Sequence, residues 1–215
     1  MTGSTILCAA VLATDPAGHQ QSPDGLYLKL AGSFVVQQDA ELLSVGGVPL
    51  SATLDFDIGY GMQGGVGCTF ALESGPSVSL EFEYSFRMAE IDKLSAPPLT
   101  LPATGQTESH SLMLNVIGSI DIAGGFGLYA GGGIGVAITN SDLTIDLGGG
   151  ITASFPGDTD TTLAWQVMGG VQYAFGAHLV LYSGVRYFDA GTVGFDTFQS
   201  ENRSVSVELG LRVHF

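Results

Sequence analysis

The chain reads as an all-β protein: an eight-stranded antiparallel up-and-down transmembrane β-barrel, with short turns at one end and four long loops at the other. Three observations predict this. Apolar and polar residues alternate along stretches of about ten residues, the length at which a tilted strand crosses a bilayer. The connections between those stretches alternate long and short. Charged residues make up only 13% of the 215 positions, against about 25% in a typical soluble domain. Nowhere do about 18 apolar residues run together as a membrane helix would need. Only helices and closed barrels satisfy the backbone within hydrocarbon, so a membrane protein of this profile has to be a barrel.

Residues 1–24 are expected to be a signal remnant or flexible N-terminal arm, and residues 25–215 the barrel. Ile6 to Ala13 resembles the apolar end of a secretory signal, although no basic residue precedes Lys29. From Gly25 the first strand sets Leu26, Leu28, Leu30 and Phe34 against Tyr27, Lys29, Ala31 and Ser33. A long connection from about Val36 to Gly59 leads to the second strand. There Met62, Val66, Cys68, Phe70 and Leu72 oppose Gly61, Gln63, Gly65, Gly67 and Thr69. After the turn cluster Glu73-Ser74-Gly75-Pro76-Ser77, Val78, Leu80, Phe82, Tyr84, Phe86 and Met88 alternate with Ser79, Glu81, Glu83, Ser85 and Arg87.

The second long connection, 89–108, carries three prolines. Strand four opposes Leu112, Leu114, Val116, Ile120 and Ile122 to Ser111, Asn115, Ser119 and Asp121. A short turn brings strand five, with Leu128, Ala130, Ile134, Val136 and Ile138 facing away from Tyr129, Gly131, Gly133 and Gly135. The third connection, 139–160, shows its own short hairpin, 143–147 with 151–155. Strand six runs from Leu163 to Phe175, and a two-residue turn, Gly176-Ala177, leads to strand seven, Leu179 to Tyr187. The fourth connection, 189–202, precedes the longest uninterrupted pattern. Val205, Val207, Leu209, Leu211, Val213 and Phe215 oppose Ser204, Ser206, Glu208, Gly210, Arg212 and His214.

Alternation alone does not say which face is outside, because a soluble barrel alternates as well. The polar face decides it: Gly, Ser, Ala and Gln dominate, where a water-facing surface would carry many more Lys and Glu. Small residues suit the cramped interior of a narrow barrel. The apolar face also carries aromatics near strand ends, including Phe34, Phe70, Tyr84, Trp165, Tyr173, Phe175, Tyr187 and Phe215, as interfacial girdles do. Lys29, Arg87, Arg186 and Arg212 then point inward with Glu81, Glu83, Asp121 and Glu208. Buried charges need partners, so these eight residues are expected to form a lumenal ion-pair network. An eight-stranded interior is filled by side chains, and an open pore is not expected.

A net charge of −15 with only six basic residues argues against nucleic-acid binding, which needs clustered Lys and Arg. Fourteen of the 21 acidic residues fall in the four long connections, beside one base, Lys93. Acidic loops of this kind suit divalent cations, lipopolysaccharide or a protein partner. Asp158 and Asp160 have calcium-like spacing but lack the downstream Glu of a full loop motif, so no metal site and no cofactor is expected. Ser109-His110-Ser111 is the one cluster that suggests hydrolysis, yet neighbouring strand residues point to opposite faces.

The runs Gly61–Phe70, Ser79–Arg87, Gly184–Asp189 and Leu209–Phe215 resemble the small outer-membrane β-barrel superfamily, of the OmpA-like transmembrane domain and Opa-type porin kind. The resemblance covers about Gly25 to Phe215. It implies a bacterial outer-membrane location, short periplasmic turns with both termini periplasmic, and contact with outer-membrane lipid and lipopolysaccharide. It also implies that Leu209, Leu211, Val213 and Phe215 form the signal read by the barrel-assembly machinery. The leading functional expectation is a structural, surface-exposed barrel protein, not an enzyme. Passive transport of small hydrophobic solutes is the alternative, with Gly131, Gly133 and Gly135 leaving room inside, and a lipid-modifying enzyme ranks behind both.

Overall fold

The computed structural model describes residues 24–37, 40–45, 48–56, 58–72, 75–96, 99–146, 152–194 and 199–215; the N-terminal arm lies outside them. Ten strands follow in order: β1 (Gly25–Gln37), β2 (Ala40–Val45), β3 (Val48–Phe56), β4 (Ile58–Ala71), β5 (Ser77–Ala96), β6 (Leu99–Ala123), β7 (Phe126–Asp146), β8 (Thr152–Phe175), β9 (Leu179–Gly194) and β10 (Gln199–His214). They make eight staves. β4 pairs β5 from Ala71↔Ser77 to Tyr60↔Met88, and β3 takes over the same partner from Phe56↔Ile91 to Thr53↔Ser95. β2 continues β1 in the same way by pairing β3. All pairings are antiparallel, and β1 closes the sheet against β10 from Tyr27↔His214 to Gln37↔Ser204.

Closure leaves no edge strand in the barrel wall, which removes the unpaired backbone groups that hydrocarbon does not tolerate. The wall is inverted relative to a soluble protein. Leu163 is 84% exposed and Phe34 69%, whereas Glu83 and Arg186 are fully buried. Outward aromatics gather in two rings. Phe70, Phe126, Tyr173, Phe175 and Phe215 lie toward the short turns, and Phe34, Tyr60, Tyr84 and Trp165 toward the long hairpins. Along β8, Trp165 and Phe175 are separated by about 33 Å of strand. Tilted as barrel strands are, this becomes about 25 Å, the height of an outer-membrane apolar band.

The turns at one end are tight. Gly124 and Gly125, both at positive φ, join Ala123 to its partner Phe126, as a two-residue hairpin turn demands. Between β8 and β9 the partners are Phe175 and Leu179, so His178 belongs to a three-residue turn, one residue longer than the sequence suggested.

The opposite end differs more from the sequence reading. The 89–108 connection is mostly ladder, because β5 and β6 remain paired out to Ala96↔Leu99. The short hairpin expected at 143–155 continues β7 and β8 and pairs out to Asp146↔Thr152. At 25 residues, β6 extends about 80 Å, far beyond the membrane. The reason for the misreading is physical. Above the bilayer no face meets hydrocarbon, so the apolar period that marks a membrane strand fades while its hydrogen-bond ladder continues.

Candidate functional site

The site is the lumen, and strand register builds it. On β5, Glu81 and Glu83 share the inward face. Tyr27 and Lys29 on β1 are separated from them by one strand, β4, whose residues at those rows are glycines. The rows are Tyr27↔Gly67↔Glu81 and Lys29↔Gly65↔Glu83. With no side chain in the way, Tyr27 Oη donates to Glu81 at 2.8 Å. Lys29 Nζ donates to Glu81 at 2.9 Å and to Glu83 at 2.5 Å. A Cβ on Gly67 would strike the Tyr27 ring, so this glycine is an open lane across the lumen wall.

The same device recurs on the other side of the barrel. Tyr129 on β7 crosses Gly170 and Gly184 to reach β10, along the row Tyr129↔Gly170↔Gly184↔Glu208, and its Oη donates to Glu208 at 3.2 Å. Asn115 on β6 and Gln166 on β8 face each other over Gly133, and Gln166 Nε2 donates to Asn115 Oδ1 at 2.7 Å. Gly131 and Gly135 make room for Ile117 and Met113 of β6. The space beside these three glycines is taken by Ile117, Asn115 and Met113, and the ring of Tyr129 occupies the space over Gly184 instead.

Arg186 on β9 completes the centre. Its Nη1 donates to Glu83 Oε1 at 2.6 Å, and its Nη2 lies 2.8 Å from Glu208 Oε2. Nη1 also donates to Gln166 Oε1 at 2.7 Å. Asn115 Nδ2 donates to Glu81 at 3.0 Å. Lys29, Glu81, Glu83, Arg186 and Glu208 thus form one continuous cluster joining β1, β5, β9 and β10, with every side chain in these pairs no more than 1% exposed. Such burial is tolerated because each carboxylate is both paired and hydrogen-bonded.

The three other expected members of the network stand apart from this cluster. Arg212 is the direct cross-strand neighbour of Lys29, and like charges placed so repel. While Lys29 turns to the carboxylates, Arg212 lies over the rings of Tyr182 at 4.6 Å, Tyr129 at 5.4 Å and Tyr27 at 5.6 Å. It donates to Gln172 Oε1 at 3.2 Å. Arg87 stacks on Phe188 at 3.8 Å and pairs with no carboxylate among the described residues. Asp121 is half-buried at the turn end opposite Gly127, about 20 Å of strand below Asn115. Its position beyond the reach of the cluster follows from the register, which a reading of inward faces alone does not supply.

The loop candidates for a cation also move. Asp158 and Asp160 are strand residues on β8, paired with Ser141 and Thr139, not members of a loop. Asp160 Oδ1 accepts from the Thr161 amide at 2.7 Å, and the side chain of Asp158 lies outside the described residues. His110 points to the outer surface, sharing a 2.7 Å hydrogen bond with Tyr84, whereas Ser109 and Ser111 face the lumen. Leu209, Leu211 and Phe215 lie on the exposed apolar face.

Sequence reasoning did not single out Tyr27, Tyr129, Tyr182, Asn115 or Gln166 as site residues. A signal for them was present: each is polar or amphipathic on the inward face, with glycines one strand away.

An inverted eight-stave barrel with a charged, side-chain-filled interior defines a class, the small transmembrane barrels of bacterial outer membranes. The chain belongs to the outer membrane protein beta-barrel domain family, whose model matches residues 4–212, and this family places it in the bacterial outer membrane. Among solved structures, the chain is similar in fold to Neisserial surface protein A, with 18% identity, 89% of this chain and 97% of that one covered, and a TM-score of 0.49. It is also similar to OprG from Pseudomonas aeruginosa, with 16% identity, 92% and 100% covered, and a TM-score of 0.46. A third is Ail of Yersinia pestis, solved with the heparin analogue sucrose octasulfate, with 14% identity, 88% and 99% covered, and a TM-score of 0.44. No curated protein matches the chain.

Proposed function

We propose that this protein is a sealed, non-enzymatic barrel that presents its long hairpins at the cell surface, with the short turns and both termini on the periplasmic side. The observation that carries the reading is the cluster of Lys29, Glu81, Glu83, Arg186 and Glu208 across the lumen. Ions passing through would have to strip these pairs apart in a region of low dielectric, which is costly. The acidic hairpins then meet divalent cations bridging lipopolysaccharide, or a basic protein partner. Leu209, Leu211, Val213 and Phe215 present their apolar row to the barrel-assembly machinery during insertion.

Planar-bilayer recording of the purified protein is expected to give no conductance above the lipid background. A steady current, or flux of a small hydrophobic solute into barrel-containing vesicles, would instead support a transport role. If the barrel is sealed and its hairpins act at the surface, deleting residues 139–160 abolishes binding to lipopolysaccharide or to the partner and leaves the barrel folded.

A further inference from the structure

We propose that the hairpin end of the lumen contains a binding site for a small oxyanion, centred on Arg87. Among the described residues the lumen buries four cations, Lys29, Arg87, Arg186 and Arg212, but the three carboxylates at the same burial, Glu81, Glu83 and Glu208, are engaged by Lys29 and Arg186. Arg212 lies over three tyrosine rings and donates to Gln172 Oε1, with Nε its one unbonded buried nitrogen among the described residues. Arg87 is not accommodated to the same degree. It is 5% exposed, one face of its guanidinium lies on Phe188, and Nη1 makes a 3.4 Å contact with Ser111 Oγ. Nε and Nη2 have no hydrogen-bond partner among the described residues.

Those two atoms are the same edge of the guanidinium. Their N–H groups run parallel, at the spacing that matches two oxygens of a carboxylate, phosphate or sulfate. Stacking on Phe188 uses the face of the group and leaves this buried edge without a hydrogen bond among the described residues. Ser109 sits directly across the β5–β6 ladder from Arg87, and its buried Oγ is also without a partner among the described residues, so a third unused donor lies on the neighbouring strand. Arginine does not lose its proton in proteins, and a buried charge with unfilled donors is costly. An oxyanion resolves both deficits. Arg87 lies four residues beyond Glu83 on β5, about 13 Å along the strand, on the hairpin side of the ion cluster. The ligand therefore comes from that side.

The test uses the full chain folded in detergent micelles, with thermal unfolding followed by heat-modifiable gel mobility at constant ionic strength. Sodium formate is the first probe and inorganic phosphate the second. Wild type is expected to be stabilised saturably, its folded-to-unfolded ratio rising about a hundredfold when the anion reaches about a hundred times its Kd. Arg87→Leu and Arg87→Gln lose this dependence, and Ser109→Ala shifts it to higher concentration. Because an Arg87 variant can fail to fold, line broadening of carbon-13 formate by wild type, reversed by phosphate, gives an independent readout. Equal anion dependence in wild type and Arg87→Gln, or a formate line unaffected by wild type, overturns the site.

Discussion

Replacing Glu83 with glutamine is expected to remove about 3–5 kcal/mol from the stability of the barrel, the usual cost of taking one partner out of a buried ion pair. Glu83 is the carboxylate shared between Lys29 and Arg186. It also accepts from Gln166 Nε2 at 3.2 Å. Glutamine keeps the volume but brings an amide that donates where two cations need an acceptor. Urea unfolding in lipid vesicles measures the loss. The double variant Lys29→Met with Glu83→Gln should recover part of it, since one of the stranded cations is then gone. The sign of that coupling matters more than its size. A buried pair is not in itself a large source of stability, and an apolar replacement of both partners can be nearly neutral. A Glu83→Gln variant within about 0.5 kcal/mol of wild type, the range of an ordinary surface change, would show that the cluster does not tie the staves together.

The second large effect is expected at Gly184. A Cβ there would strike Tyr129 Oη and come within 2.5 Å of the Gly169 carbonyl oxygen. Gly184→Val therefore displaces the tyrosine, ends its hydrogen bond to Glu208, and strains the β8–β9 ladder. Overpacking of this kind costs about 1–3 kcal/mol, and loss of a hydrogen bond to a charged group about 1.5–3 kcal/mol more. Tyr129→Ala should partly rescue Gly184→Val, because it clears the ring from the lane, although the ladder contact remains. Additive losses in the double variant, by the same urea titration, would separate the glycine from the tyrosine and contradict the lane.

These two residues mark the boundary of what the sequence makes legible. The inward direction of Glu83 and Gly184 follows from alternation, once the sparse charge on the polar face has decided which side is the lumen. The outward row of Leu26, Leu28 and Leu30 was legible for the same reason, and so was the closure of the last strand against the first. Partnership was not legible. Whether Lys29 meets Glu83 or Arg212 depends on the stagger between strands and on side-chain reach, and no single strand encodes either. The glycines were visible as an excess, yet their use emerges only when Gly65 is seen lying between Lys29 and Glu83, and Gly184 between Tyr129 and Glu208. Arg87 and Arg212 look alike on their strands, and only closure gives one a phenylalanine and the other three tyrosines.

The hairpins teach a related point. Proline and acidic residues at 89–108 read as a loop, and yet the β5–β6 ladder runs through them. Outside the bilayer a strand has no apolar face to display, so pattern-based reasoning stops at the membrane while the structure does not.

Both the ion cluster and the glycine lanes presuppose that the apolar row faces lipid and the charged row faces the lumen. The chain contains one tryptophan, Trp165, on the outer surface at 45% exposure, in the ring toward the hairpins. Its fluorescence in vesicles of brominated phospholipids tests that premise directly. Strong quenching is expected when bromine sits high on the acyl chain near the headgroups, weaker quenching when it sits at the bilayer centre, and little from aqueous acrylamide. Quenching by acrylamide at the level of free tryptophan, with no response to bromine at any depth, would place Trp165 in water and contradict the inverted barrel.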